Sequence, residues 1–381
     1  MFFAFFPLTI SWSSIQGEIL AKSLQNVSFT KQISPVSYEI EMIVADWFSE
    51  MLGLPSFFYN KNGPGGGITY STASDAVLTA MACARLETGT ESIAYVSDQA
   101  HFSIEKAARV LGVPIRIIPS YFNEKFGTYS IDTGKLRDCI VRDKALGFKP
   151  SFIVGCIGGT NVCSVDENEI LGDIAQENNA WFHIDAAYAG SFCILPEFKH
   201  WLKGVEKSTT FNINSSKMLM AGMNSSHMWV KDKALLVRNL AQSANYLKGT
   251  NDVDLKNWQI PLGRDCKALK TWFIIQEFGV NGIHEHLRKF IEATQVAEQY
   301  VKDDDRLEMV VKRIFSLVVF RVKGGNDRTE LLVQRLAQDE NIFLLGSKLY
   351  DKNIIRFTPG STVDGHENIH KAFSILKSYL D

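Results

Sequence analysis

Four short stretches of this sequence carry side chains that could act together on one small molecule. In FNINSSKMLM, residues 211–220, Lys217 follows Ser215 and Ser216 at the end of a strand-like alternation of Phe211 and Ile213. Asn214-Ser215-Ser216 reads as a turn, and the apolar Met218-Leu219-Met220 comes next. A lysine in an apolar pocket can form a Schiff base with a carbonyl, whereas the ordinary alternative is a solvated lysine. In AWFHIDAAYAGS, Trp181-Phe182-His183-Ile184 predicts a buried strand with Asp185 at or near its C-terminal end, the edge where ligands of open α/β sheets gather. The small residues Ala186, Ala187, Ala189 and Gly190 would let a flat group approach the backbone. An unpaired carboxylate there is costly, so a cationic partner is expected; the plain alternative is an aspartate bonded to its own turn.

SDQAHFSIEKAARVLGV ends another strand with Asp98 and His101 before a helix, where a histidine ordinarily caps or packs. GPGGGITYSTASDAVLTAMACAR sets a glycine run before a polar turn and a helix. Thr72 and Ser74 can cap that helix start, where free amide N–H groups and the helix dipole favour an anion. The stretch is not a P-loop, because no Gly-Lys-Ser/Thr follows, and Ile68 holds the third glycine's place of G-x-G-x-x-G. An ordinary capped helix explains it equally well. Gathered on one sheet edge, however, the residues suit a single chemistry. An aspartate can hold a pyridinium nitrogen, an imidazole can lie over the ring, and a lysine can take the aldehyde carbon of pyridoxal 5'-phosphate.

The elements that must position these residues follow from the patterning. With 381 residues and 46% hydrophobic content, the chain can bury a large core, in two domains. From 40 to 200, helical periods (IEMIVADWFSEML, ASDAVLTAMACARL) alternate with short apolar runs (SIAYVSD, IRIIPS, SFIVGCI, AWFHIDA), which predicts an α/β domain with a mostly parallel sheet. Beyond about 265 the texture predicts a smaller α+β unit. It has a long amphipathic helix over 281–303, with Ile283, Leu287, Phe290, Ile291 and Tyr300 along one face, then strands near SLVVFRVKG, NIFLLG and NIIRFT. His284 and His286 on that helix read as surface residues pointing different ways, not as a metal pair. The divisions are 1–45, what remains of an N-terminal segment; 46–265, the large domain; and 266–381, the small domain.

A net charge of −2 gives no general attraction to nucleic acid or anionic lipid. MFFAFFPLTISW lacks a basic region before Lys22, and its apolar part falls far short of the roughly 20 residues that span a bilayer. The six cysteines form no CxxC pair and no metal spacing, and predict buried reduced thiols in the cytoplasm.

FFAFFP, GGGITYSTAS, YVSDQAHFSIEKA, HIDAAYAGS, PEFKHWLKGVE, FNINSSK, MWVKDK, NWQIPLGR and LVVFRVKG occur in the order of the group II pyridoxal-phosphate decarboxylases, and the sequence resembles that aromatic-L-amino-acid and histidine decarboxylase family over nearly its whole length. The resemblance implies a fold-type-I transferase-like architecture and a homodimer with sites near the subunit interface. It assigns Lys217 as the lysine that binds the cofactor covalently, Asp185 as the partner of the pyridinium nitrogen, and His101 as the residue stacked on the ring. Thr72, Ala73, Ser74 and Asn214 are implied to contact the phosphate, Thr160 and Ala187 to lie near the ring, and Gly263 to come from the partner subunit. Tyr246 matches the catalytic tyrosine of a mobile loop, and Phe5, Phe6, Val27 and Phe29, with His101, fall where the family builds its substrate pocket.

Some features depart from the family pattern. Asn214-Ser215-Ser216-Lys217 stands where the family has Asn-Pro-His-Lys or Asn-Pro-Ser-Lys, and without proline φ is no longer fixed before the lysine. The segment after Tyr246 is shorter than usual, Leu8 replaces a threonine, and the helical region that wraps the partner subunit is not in the sequence. Gly263 resembles the aromatic branch; Ser216 and Val230-Lys231-Asp232-Lys233 resemble the histidine branch. The implied activity is decarboxylation of an aromatic L-amino acid to its amine. The alternatives are histamine formation, and a catalytically impaired relative acting as a binding or heterodimer partner.

Overall fold

The computed structural model describes residues 1–24, 27–241, 254–360 and 366–380. Helices α1 (Trp12–Ser23) and α2 (Pro35–Leu52) lead into strand β1 (Gly66–Tyr70) and helix α3 (Ala73–Thr88). There follow β2 (Ser92–Ser97), α4 (Ser103–Leu111), β3 (Ile115–Ile118), a hairpin of β4 (Ser120–Asn123) and β5 (Thr128–Ile131), and α5 (Thr133–Ala145). Next come β6 (Lys149–Cys156), α6 (Asn168–Glu177), β7 (Trp181–Asp185), β8 (Thr210–Asn214), the one-turn α7 (Ser215–Met218), β9 (Ser226–Val230) and α8 (Ala234–Leu240). The last part comprises α9 (Leu269–Lys302), β10 (Leu307–Met309), β11 (Val318–Val322), α10 (Asn326–Leu336), β12 (Leu345–Leu349), β13 (Lys352–Phe357) and α11 (His366–Ser378).

Seven strands form the central sheet in the order β1-β9-β8-β7-β6-β2-β3. Five neighbours, from β8 to β3, run parallel, and β9 is antiparallel to both β8 and β1. Reversal of β9 alone gives β1 the same sense as β8. The ends of β1, β2, β6, β7 and β8 therefore open on one edge. Apolar runs make these strands because the sheet is buried on both faces. Along β6, Phe152 and Val154 pack with α3 residues such as Val77 and Ala80, while Ile153 packs with Leu171 of α6 and Phe48 of α2.

The smaller sheet, β10-β11-β13-β12, is antiparallel, and its core joins Phe320, Ile355 and Phe357 to Phe373 of α11. Phe3 belongs to this core and stacks on Phe357 with ring centres 4.4 Å apart, so the start of the chain is anchored far from it in sequence. The expected 281–303 helix begins earlier, at Leu269, and Gly279 breaks it with φ 58° and ψ −177°. Only glycine adopts that backbone readily, which is why one continuous period understates the element. His286 is a second correction: it is buried beside Phe290, not on the surface. All six cysteines are free and five are buried. Among the described residues, no helix is long and apolar enough to cross a membrane.

Candidate active site

At the carboxyl edge of the large sheet lies a cleft of about 140 Å³ that collects residues from five strand ends. Thr72, Ala73 and Ser74 enter from the start of α3, and His101 from the link between β2 and α4. Gly159 and Thr160 follow β6; Asp185 and Ala187 end β7; Asn214 and Lys217 end β8. A larger groove of about 580 Å³, around Phe126, Trp201 and Arg313, holds none of the residues singled out by sequence.

Each member is held by its own local bonds. Thr72 is the N-cap of α3, and its hydroxyl accepts from Asp75 N–H at 3.1 Å. The first amides of the helix remain free of intrahelical acceptors. Asp185 accepts from Ala187 N–H at 3.0 Å and forms no ion pair with any described residue. The expected cationic partner is thus absent at contact distance, although Lys217 and His101 both feel its charge. His101 accepts the Ser103 N–H on Nδ1 at 3.2 Å and lies 2.8 Å from the Ser103 hydroxyl. It therefore accepts the first amide of α4 and lines the cleft at once, and its proton in the neutral ring sits on Nε2.

The turn carrying Lys217 is fastened on three sides. Thr9 donates its hydroxyl to Lys217 O at 2.8 Å and its N–H to Ser216 O at 3.1 Å. His286 on α9 meets Met218 O at 3.1 Å. Ser215 and Ser216 bond to Ser225, just before β9. The Lys217 ammonium lies 5.3 Å from the centre of the Phe6 ring, and Arg356 Cζ lies 5.1 Å from the same ring. Phe6 in turn stacks on Tyr188 at 3.6 Å.

Burial lowers the pKa of Lys217 by desolvating the ammonium; Asp185 opposes the shift and Arg356 adds to it. His101 is lowered for the same reason, again against the pull of Asp185. The site therefore favours a neutral imidazole and makes the lysine amine easier to deprotonate.

Phe5 is exposed, and Val27, Phe29 and Gly263 do not line this chain's cleft. Ser28, between Val27 and Phe29, donates to Arg264 O at 2.8 Å, so that segment sits with Gly263 instead. Tyr246 lies outside the described residues. Of the four small residues after Asp185, only Ala187 lines the cleft. A Cβ on Gly190 would come within 2.5 Å of Ile213, so that glycine serves packing. Likewise the glycine run before α3 meets strand β9 rather than a ligand: a Cβ on Gly67 would lie 2.4 Å from the Trp229 ring. Sequence reading missed Thr9, His286 and Arg356. The buried Arg356 leaves Nε and one terminal nitrogen without a partner among the described residues, and its position in the apolar run NIIRFT was the available signal.

A lysine, a carboxylate and a helix amino end around one cleft at the sheet edge define an α/β enzyme that holds a phosphorylated aldehyde. The chain belongs to the pyridoxal-dependent decarboxylase family, whose conserved domain matches residues 1–323. It is 36% identical over 398 residues to the aromatic-L-amino-acid decarboxylase of Cavia porcellus, covering 99% of this chain and 82% of that protein. It is 36% identical over 395 residues to the histidine decarboxylase of Homo sapiens, covering 98% of this chain and 59% of that one. Its fold superposes on the crystal structure of Oryza sativa TDC with PLP and tryptamine with a TM-score of 0.94 and 32% identity, covering 100% of this chain and 83% of that one. The fold is therefore fold-type I, the cofactor pyridoxal phosphate, and the chemistry pyridoxal-phosphate-dependent decarboxylation of an amino acid. The donors present fit that cofactor. Asp185 offers an unpaired carboxylate, Lys217 an amine, and α3 its free amides.

Proposed function

We propose that the cleft around Lys217 decarboxylates an aromatic L-amino acid to the corresponding amine. Convergence of Lys217, Asp185, His101 and the amino end of α3 on one cleft carries this reading. Pyridoxal phosphate, when bound, supplies the electron sink for the pair left on the α-carbon as carbon dioxide departs.

The chain's residues divide the remaining work. The first amides of α3, with Thr72, Ala73, Ser74 and Asn214, would hold the phosphate, and Thr160 and Ala187 would lie beside the ring. Asp185 has one oxygen taken by Ala187 N–H, and its other oxygen would keep the ring nitrogen protonated. Raising that nitrogen's pKa by two units takes roughly 2.7 kcal/mol, within reach of a charge-assisted hydrogen bond. His101, fixed by Ser103, would cover the ring and help orient the substrate's carboxylate. Lys217, eased toward its neutral form, would be the nucleophile that holds the cofactor covalently. Arg356, a buried cation beside Phe6 with two donors unpartnered among the described residues, is the group best suited to the substrate's carboxylate.

Aromatic specificity is supported by the flat wall of Phe6 and Tyr188 beside the lysine. Histidine is the second reading, favoured by Ser216 and Val230-Lys231-Asp232-Lys233. In this reading the protein works in the cytoplasm as a homodimer. Its free thiols and the exposed Trp12, Ile19 and Val36 support that assignment, as does Gly263, which lies away from the cleft of its own chain. Comparing kcat/KM for L-tryptophan, L-tyrosine and L-histidine tests the specificity. At least about a tenfold preference for one of the aromatic acids is expected. A preference for histidine overturns the assignment.

A further inference from the structure

The two serines before Lys217 stand where the family pattern has proline and then histidine or serine, and the structure gives the first of them a built environment. Ser215 is the first residue of α7, a position that accepts proline because no helical N–H bond is required there. Its hydroxyl lies 2.8 Å from Ser225 O, 2.7 Å from Ser225 Oγ and 3.1 Å from His227 Nε2. The other ring nitrogen, Nδ1, lies 3.3 Å from Thr69 Oγ1. Thr69 N–H in turn donates to Glu41, which pairs with Arg264 at 2.7 Å. Ser215, Ser225 and His227 have no exposed surface, and the imidazole sits against the Phe48 ring at 4.6 Å. In either neutral tautomer one ring nitrogen donates and the other accepts, so the hydroxyls of Ser215 and Thr69 fill both.

We infer that Ser215 and His227 act as a pair of positioning residues that hold the Lys217 turn, replacing by side-chain hydrogen bonding the constraint that a proline ring would impose. The inference rests on Lys217 being the cofactor lysine. Lys217 is two residues beyond Ser215, in the same single turn, so freedom at Ser215 is transmitted directly to the amine's position. Among the described residues, the His227 ring nitrogens meet only the Ser215 and Thr69 hydroxyls. When the Ser215 hydroxyl is removed, the imidazole keeps only Thr69, and a buried Nε2 goes unpaired. Removal of His227 likewise leaves the Ser215 hydroxyl to Ser225 alone, and α7 loses its side-chain link to β9 through the imidazole.

The test titrates the apo-protein with pyridoxal phosphate and follows the bound cofactor's absorbance against pH. Variants are Ser215→Ala, His227→Ala, both together, and Ser215→Thr. Ser215→Ala and His227→Ala are each expected to weaken cofactor binding about tenfold and to move the absorbance midpoint in the same direction. The double variant should be no worse than the larger single effect, because one interaction is lost in all three. Ser215→Thr, which keeps the hydroxyl, should restore parental values. Parental affinity and midpoint in either alanine variant, or additive effects in the double, overturn the inference even where thermal stability falls. If the alanine variants do not accumulate as folded protein, Ser215→Pro takes their place. In that background His227→Ala should leave affinity unchanged, and a tenfold loss would contradict the replacement. Borohydride trapping keeps the two readings apart: a cofactor trapped on a lysine other than Lys217 removes the premise, whereas trapping on Lys217 with unshifted variants removes only this inference.

Discussion

The hydroxyl of Thr9 donates to the carbonyl of Lys217 across 2.8 Å and accepts from Met220 N–H at the same distance. A residue near the start of the chain thus fixes the backbone on both sides of the lysine turn. Its neighbour Leu8, which stands in the place of the family's threonine, is 46% exposed and makes no such bond.

Thr9→Val keeps the shape of the side chain and removes both bonds, leaving a buried N–H and carbonyl unpaired. Loss of about 1–3 kcal/mol of stability is expected, with several-fold weaker cofactor binding. Calorimetry of the apo-protein checks the first, and an unchanged melting temperature would refute it.

Asp185→Ala is expected to lower the decarboxylation rate by about a hundredfold or more while weakening cofactor binding much less. On the proposed assignment the phosphate contacts would remain, whereas the ring nitrogen would lose the carboxylate that keeps its proton. Equal losses of rate and binding would make Asp185 a structural residue.

Acid should destabilise the fold in a defined window. His183, His227 and His286 are each held at about 4 by burial, below the ordinary value of about 6.5. Between those values the unfolded chain binds protons that the folded chain refuses, so stability is full above about 6.5 and falls as pH drops toward 4. Buried Asp166, pushed up to about 7, acts in the opposite sense, since its folded form takes a proton that the unfolded chain releases above about 4. Three imidazoles outweigh one carboxyl. Thermal melts from pH 7 to pH 4.5 should show a steady fall in melting temperature, and a flat or rising profile contradicts this balance.

Tyr246 is proposed as the acid that returns a proton to the substrate carbon, and a positioned donor contributes roughly 10²–10⁴-fold. Chromatography of products from the parent protein should give amine, and in air Tyr246→Phe should divert product to aldehyde, with dissolved O2 as the two-electron oxidant and ammonia and hydrogen peroxide released. The same amine at the same rate from the variant would remove the role.

Much of the site was legible because its strands are short apolar runs ending in polar residues. Asp185 and Lys217 both sit where β7 and β8 stop, and Thr72 caps the helix its side chain type predicts. What was not legible depends on contacts between distant segments. Thr9 reaches Lys217 across 208 positions, His286 reaches Met218 across 68, and neither residue has a local pattern that announces its partner. The reason for the glycine run was hidden in the same way, since the close neighbour of Gly67 is Trp229 on a strand that pairs with it only in the folded sheet.

The central claim is that Lys217 holds the cofactor. Borohydride reduction of the protein loaded with pyridoxal phosphate, followed by peptide mass mapping, tests it most directly. The expected result is a reduced phosphopyridoxyl group on the peptide containing Lys217, and none in Lys217→Ala. Equal labelling of the variant, or label on another lysine in the parent protein, would contradict the account.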